Sequence, residues 1–437
     1  MAQQGMTDTP KIVIVGAGPA ACTLACLLAQ RGVEALVYDD GKRPDLLVGE
    51  SLIPAVIPIL RSLGIEERVA AISMHKPGVS FLHDHVPWIH FNFAPVKPYL
   101  PTYAYNVDRK AFDTLLKERA RELGATFIPH RAKVVRPADG RADRLELDAA
   151  SVAAAPQLGG KQPDLLVDAT GRNRLFSKLL DLKATAGKRS DTAYFAHYTD
   201  FVMPEPAGQV LISRLSQGWS WRIPLSSDRM SFGVVIDKEA ARRWGESPEE
   251  RIEHALKSEP LHRLATANAR RITPVMVYNN YQLIAERAFG PGWALVGDAL
   301  GFVDPMLSSG LFLAMESARC LDARLFPNGV AQLAAPDQQQ RELSAYQQEM
   351  RTWYEAWSDL IDGFYDGRIF SLYEAGYRMR MKRDNWLQHA LDRSINKHIA
   401  CMASGALTRA RFSRVLVQSA CRFLSYGVSP AAKVAIR

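Results

Sequence analysis

The chain has 437 residues, 47% of them hydrophobic, and a formal net charge of +8 at pH 7. That length and apolar content exclude a disordered or fibrous chain and supply more core than one minimal domain needs. Residues 1–10 are polar, and no later window offers the roughly 20 apolar residues of a membrane span, so no transmembrane segment is expected and the cytoplasm is the expected compartment.

In chain order, Lys11 to Gly16 (KIVIVG) is an apolar run of strand length ending in glycine. AGPAACTLACLLAQRG follows with apolar positions at helical spacing until Gly32, and EALVYDD then reads as a second strand. This is a strand, helix and parallel strand unit. Gly49 to Leu63 reads as an amphipathic helix containing Pro54 and Pro58, and Val107 to Gly124 as a long helix of mixed charge. Asp164 to Gly171 (DLLVDATG) is a third buried strand. From Tyr194 to Asp237 short alternating runs separated by Gly, Ser, Pro and Asp predict an antiparallel meander. Two helices are expected next, then strands near Gln282 to Glu286 and Trp293 to Val296, a glycine-rich turn, and a helix over Ser309 to Leu325.

Beyond Pro336 the pattern is almost wholly helical. Trp353, Trp357, Phe364, Tyr365, Phe370 and Tyr373 recur there at helical intervals, lining a pocket or packing the last helices on the core. From Tyr365 onward there are thirteen Lys or Arg against four Asp or Glu, and the rest of the chain is close to neutral. Such an excess is a solvated helical face or a docking surface for something acidic, such as a carrier protein or a membrane surface. No binding motif accompanies it, so nucleic acid is not expected. The cysteines, Cys22, Cys26, Cys320, Cys401 and Cys421, lack the spacing of a zinc site and the density of a disulfide scaffold, and read as buried thiols.

The first unit carries a dinucleotide site. Gly16, Gly18 and Ala21 take the three small positions of GxGxxG, with Ala20 beside them. Gly16 permits the tight turn, Gly18 lets a pyrophosphate approach the backbone, and the helix beginning there offers free N–H groups. Asp39 closes the second strand 23 residues after Gly16, where a carboxylate accepts ribose hydroxyls.

Two distant segments indicate FAD rather than NAD. WALVGDALGFVDP, Trp293 to Pro305, resembles the second flavin motif of the glutathione-reductase-type monooxygenase superfamily, which implies that Gly297 lies in the turn and Asp298 holds a ribityl hydroxyl. Asp168 to Gly171 (DATG) resembles that superfamily's middle motif, and Arg109 falls where its members often place a basic residue near the cofactor.

GWSWRIPL, Gly218 to Leu225, contains the WxWxIP pattern of flavin-dependent halogenases in Trp219, Trp221, Ile223 and Pro224. Alternate tryptophans on a strand share a face, and the resemblance implies that this segment separates substrate from flavin. The segment beginning GES, Gly49 to Ser51, is followed downstream by Lys76, five residues before Phe81 as in halogenases. An ammonium there would hydrogen-bond hypohalous acid, or a neutral amine would carry the halogen, and burial tunes between those states. Ser308, Ser309 and Gly310, in DPMLSSGLF, are the implied halide site, built on backbone N–H groups at a helix start. Tryptophan halogenases usually carry Glu where this chain has Leu307, so it is more similar to the branch acting on phenols or carrier-tethered pyrrole and acyl groups.

The resemblance spans roughly residues 10 to 330. It implies an α/β architecture: an FAD module with a Rossmann-like sheet over 8–190, with an insert at about 45–105 on the substrate side; an antiparallel-sheet substrate module over 191–285; a return to the FAD module over 286–330; and a helical region over 331–437. It implies reduced FAD, oxygen and chloride or bromide halogenating an electron-rich aromatic, free or bound to an acyl or peptidyl carrier protein, through hypohalous acid and Lys76. His75 or Glu50 would serve as general base. No nicotinamide-binding segment is recognisable, which points to a separate flavin reductase. An FAD-dependent hydroxylase and a halogenase-like flavoprotein that modifies a partner protein stand as alternatives.

Overall fold

The computed structural model describes residues 10–423, except 45, 84–85, 138–142, 259–265, 267, 280–281, 330–332, 334 and 383–385, together with 433–434. Its first sheet has six strands in the order Phe289–Gly290, Trp293–Leu295, Leu165–Asp168, Ile12–Val15, Ala35–Tyr38 and Thr126–Ile128. All neighbours are parallel except the hairpin at Phe289–Gly290. Ile12–Val15, Ala35–Tyr38 and Leu165–Asp168 are buried along their whole length, as in a parallel sheet covered on both faces, and this is why the sequence shows unbroken apolar runs there rather than alternation. Helices Pro19–Gln30 and Ser309–Leu325 pack on each other, and Arg109–Glu122 lies against the first of them.

The second sheet has eight strands. Four, Asp191–Thr199, Val210–Leu215, Gly218–Pro224 and Met230–Asp237, form the expected run, with the last three in antiparallel sequence. Met276–Asn279 and Arg270–Arg271 add to one edge. The other edge comes from the chain's first third: Gly78–His83 pairs in parallel with Val210–Leu215, and Val86–Asn92 pairs antiparallel outside it. The expected helix over Gly49 to Leu63 is corrected. Only Val56–Ser62 is helical. Pro54 lacks an N–H and pushes the residue before it towards extended backbone, so the preceding stretch runs extended beside Ala104–Val107: Leu52 N–H donates to Tyr105 O at 2.9 Å, and Val107 N–H to Glu50 O at 2.7 Å. Pro58 is tolerated because it falls in the first turn of the short helix.

Among the described residues four helices follow residue 335: Pro336–Tyr365, Arg368–Lys382, Trp386–Ala403 and Arg411–Phe423. Trp353, Trp357, Phe364, Tyr365 and Phe370 are buried in the same core as the parallel sheet, so this aromatic series packs the helices onto the body of the molecule. All five cysteines are free and buried. Among the described residues, no helix is long and apolar enough to cross a membrane.

Candidate active site

A cleft of about 1390 Å³, counting its open mouth, lies between the carboxyl ends of the parallel strands and one face of the larger sheet. This is the crevice where open α/β sheets bind ligands. Gly16 has φ +102°, and a Cβ there would sit 2.6 Å from Ala169 O, so no other residue fits the turn. Gly18 is the opposite case: a Cβ would meet no protein atom within 4 Å, and the open space belongs to the cleft. It caps helix Pro19–Gln30, which has neither a side-chain cap nor an acid in its first turn, so its terminal N–H groups are available to an anion. Ala20 lines the cleft beside it, whereas Ala21 faces the core.

Asp298 and Arg172 face each other at 3.6 Å in the wall. The Arg172 guanidinium also lies 4.6 Å from the centre of the Tyr278 ring. Arg109 lines the cleft, donating to Val48 O and to both Asp113 oxygens at 3.1 and 3.2 Å. Asp39 stands outside the lining at the end of its strand. Burial opposes its ionisation, but hydrogen bonds from Lys117 and Gly41 N outweigh that and hold the carboxyl below its usual range. The open cradle at Gly18, the uncapped helix start and the Asp298–Arg172 pair fit a dinucleotide such as FAD.

Trp219 and Trp221 both look into this cleft, their rings 5.8 Å apart. Trp221 Nε1–H donates to Ser231 Oγ at 3.2 Å, and Trp219 Nε1–H to the Tyr365 hydroxyl at 2.8 Å. Tyr365 in turn donates to Asp304 at 3.2 Å. Asp304 also accepts from Gln282 Nε2 at 3.0 Å and Met306 N at 2.9 Å, and Arg189 lies 3.5 Å away. Burial pushes the Asp304 carboxyl up to about 6, against the pull of Arg189. The network joins the tryptophan strand, the turn leading to Ser308 and the last residue of the long helix Pro336–Tyr365. Tyr365→Phe is expected to lower stability by about 1–3 kcal/mol, the cost of leaving buried polar groups unpaired, read as a lower urea midpoint. Combined with Trp219→Phe the losses should be less than additive.

Lys76 ends the strand Ser73–Lys76 and is 1% exposed. Its Nζ donates to Ser51 Oγ at 2.7 Å and Leu52 O at 2.8 Å, and lies 5.5 Å from the centre of the Phe93 ring. Among the described residues it has no carboxylate partner, and burial pulls its pKa down to about 7. It faces a smaller cavity of about 490 Å³, counting its open side, walled chiefly by Ile53, Phe81, Phe91, Leu307, Ala400 and Ala403. Val210, Ile212 and Ser308 line both cavities and so form the partition between them. His75 is exposed, because neighbouring strand residues point oppositely. The expectation that it serves beside Lys76 is corrected.

Ser308 caps helix Ser309–Leu325 in the left-handed region, φ +56°. Ser308 and Gly310 line the large cleft. Ser309 is fully buried, and its hydroxyl has no partner among the described residues. Glu50 also lines the cleft and holds His197 Nε2 at 2.6 Å, with both side chains buried. Sequence reading missed His197 and Arg172, and it named Tyr365 only as one of six aromatic residues lining a pocket or packing the last helices. Arg172, next to DATG, is the one with a local signal.

A model of the tryptophan halogenase family matches residues 11–100 and 95–396. The chain belongs to this family. Tryptophan 2-halogenase of Chondromyces crocatus is 32% identical over 72% of this chain and 60% of its own length. The 1H-pyrrole-2-carbonyl-[peptidyl-carrier protein] brominase of Pseudoalteromonas luteoviolacea is 30% identical, over 71% of this chain and 76% of its own length. The corresponding chlorinase of Pseudomonas fluorescens is 29% identical, over 70% and 74%. The solved flavin-dependent brominase Bmp2 shares the fold, with a TM-score of 0.72 at 23% identity over 94% of this chain and 99% of that one. Flavin-dependent halogenases are FAD-dependent oxidoreductases, and the cleft described above fits that cofactor.

Proposed function

We propose that the protein uses reduced FAD, oxygen and chloride or bromide to halogenate an electron-rich aromatic group, with a pyrrole acyl group on a carrier protein as its nearest substrate class. The observation that carries this reading is Lys76: a buried amine, unpaired with any described carboxylate, in a cavity divided from the flavin cleft by the thin wall of Val210, Ile212 and Ser308. Two of the relatives described above are named for a carrier-tethered pyrrole. Leu307 at the wall of the Lys76 cavity leaves it without the carboxylate usual in tryptophan halogenases.

Bound FAD supplies the oxidising chemistry. The turn Ser308–Gly310 holds the halide: Ser309 offers an unengaged hydroxyl, and backbone N–H groups of the helix start favour an anion. Trp219 and Trp221 fill the cleft wall and keep the organic substrate from the flavin. Lys76 receives the oxidised halogen and aims it at the ring carbon, its ammonium donating a hydrogen bond or its amine bonding the halogen. A pKa of about 7 makes both forms accessible. Gly18, Ala20, Arg109, Gly297 and Asp298 hold the cofactor at the cleft wall, Gly16 shapes the turn beside it, Ala21 seats the helix on the core, and Asp39 meets the adenosine ribose beyond the cleft. A separate reductase delivers reduced flavin, and five free thiols suit the reducing cytoplasm.

The test is product mass. Purified protein, a flavin reductase and bromide are incubated with free and carrier-bound pyrroles and phenols. Bromine incorporation is expected; oxygen insertion in its place would make the protein a hydroxylase.

A further inference from the structure

The last two helices carry a surface that the reaction does not use. Of the ten large apolar side chains exposed among the described residues, five are here: Trp386, Leu391, Phe412, Val415 and Phe423, with Trp386 at 78% and Phe412 at 70%. Arg393, Lys397, Arg411 and Arg422 are exposed on the same two helices, and none has a carboxylate partner among the described residues. Asp392 is the one acid in either helix. By contrast Arg409 and Arg414, nearby, are tied to Glu349 and Asp359. The two helices form one surface, since His398 Nδ1 lies 2.8 Å from Ser413 Oγ and its ring 5.4 Å from that of Phe412.

Position gives this surface its meaning. Helix Trp386–Ala403 also supplies Ala400 and Ala403 to the wall of the Lys76 cavity. Lys397 is three residues from Ala400, about 5 Å along the axis at the usual helical rise. A partner seated on the basic side would stand at the edge of the cavity its substrate must enter.

We propose that helices Trp386–Ala403 and Arg411–Phe423 form the docking surface for an acidic carrier domain, which delivers its tethered acyl group to the Lys76 cavity. The proposal rests on the halogenase reading above. Unpaired cations would steer an acidic partner, and exposed aromatic side chains are the usual anchors of an interface core. A membrane would accept the same mixture of charge and aromatic residues, but only a substrate carrier gains from lying beside the cavity wall.

The test compares wild type with the triple variant Lys397→Glu, Arg411→Glu, Arg422→Glu. Each receives bromide, reduced flavin, and the 1H-pyrrole-2-carbonyl group either on a peptidyl carrier protein or on free pantetheine. We expect kcat/KM for the carrier-bound group to fall at least about tenfold, through KM, with pantetheine turnover within twofold of wild type. Phe412→Ser should act the same way. Acetate, not chloride, is used to raise ionic strength, and it should weaken wild-type turnover of the carrier substrate alone.

The proposal is overturned if both substrates suffer equally or if carrier turnover is untouched. It is also overturned if the variant's one loss is binding to anionic phosphatidylserine vesicles or a dimer seen in sedimentation. Wild type that brominates the pantetheine thioester but not the carrier form removes the docking surface and leaves the halogenase. Absence of bromination on every acceptor removes both.

Discussion

A Lys76→Met protein is expected to bind flavin as wild type does and to form brominated product about 10³-fold more slowly, within the range lost with a positioned proton-transfer group. Among the described residues Lys76 is the one ionisable side chain in the lining of its cavity, so no other described group there can take over. It is absent from the lining of the flavin cleft, so flavin affinity, followed by fluorescence titration, should hold. Methionine is unbranched and nearly fills the same space, which avoids opening a void against Phe93. Product is counted by mass spectrometry under identical reductase supply. Turnover within tenfold of wild type would remove Lys76 from the reaction and with it the need for a second cavity.

Some of this was legible in the chain itself. The strand ending at Gly16, the helix after it and the strand ending before Asp39 are contiguous, and each obeys one periodicity. The helix from Ser309 to Leu325 stands as expected because Pro305 and the SSG turn mark its start locally. What stayed hidden was long-range. Trp219 meets Tyr365 across 146 residues, and Glu50 meets His197 across 147. No spacing rule links such pairs, which exist only once two sheets and the last helices have packed. The extended stretch before Val56 misled for a different reason: its apolar positions suit a helical face, but the backbone restriction imposed by Pro54 outweighs that pattern. Strand Gly78–His83 pairs with Val210–Leu215 more than 100 residues later, so the role of Gly78–His83 and Val86–Asn92 as an edge was invisible locally.

Lys76→Met should also stabilise the fold, and the benefit should fade as the solution is made alkaline. In the unfolded chain Lys76 titrates at its ordinary value of 10.5, whereas burial lowers it to about 7 in the folded protein. Between those values the unfolded state binds a proton that the folded state does not, so wild-type stability rises with pH across that window. Below pH 7 both states are protonated, and the penalty for a buried ammonium with no carboxylate beside it is fully present. Methionine carries no such penalty. A tenfold change in proton affinity is worth about 1.4 kcal/mol, so, apart from a constant cost at every pH for leaving Ser51 Oγ and Leu52 O without their donor, the advantage of the variant should shrink by about 3 kcal/mol between roughly pH 6.5 and pH 9.5. Urea unfolding of both proteins at the two pH values measures it, since every other titrating group cancels in the difference. Parallel curves would mean that Lys76 keeps its proton in the folded state, which contradicts a pKa lowered by burial. A gain in stability accompanied by loss of bromination would instead show that the chain retains a costly buried amine for its chemistry, the trade expected where a functional group sits in an apolar wall.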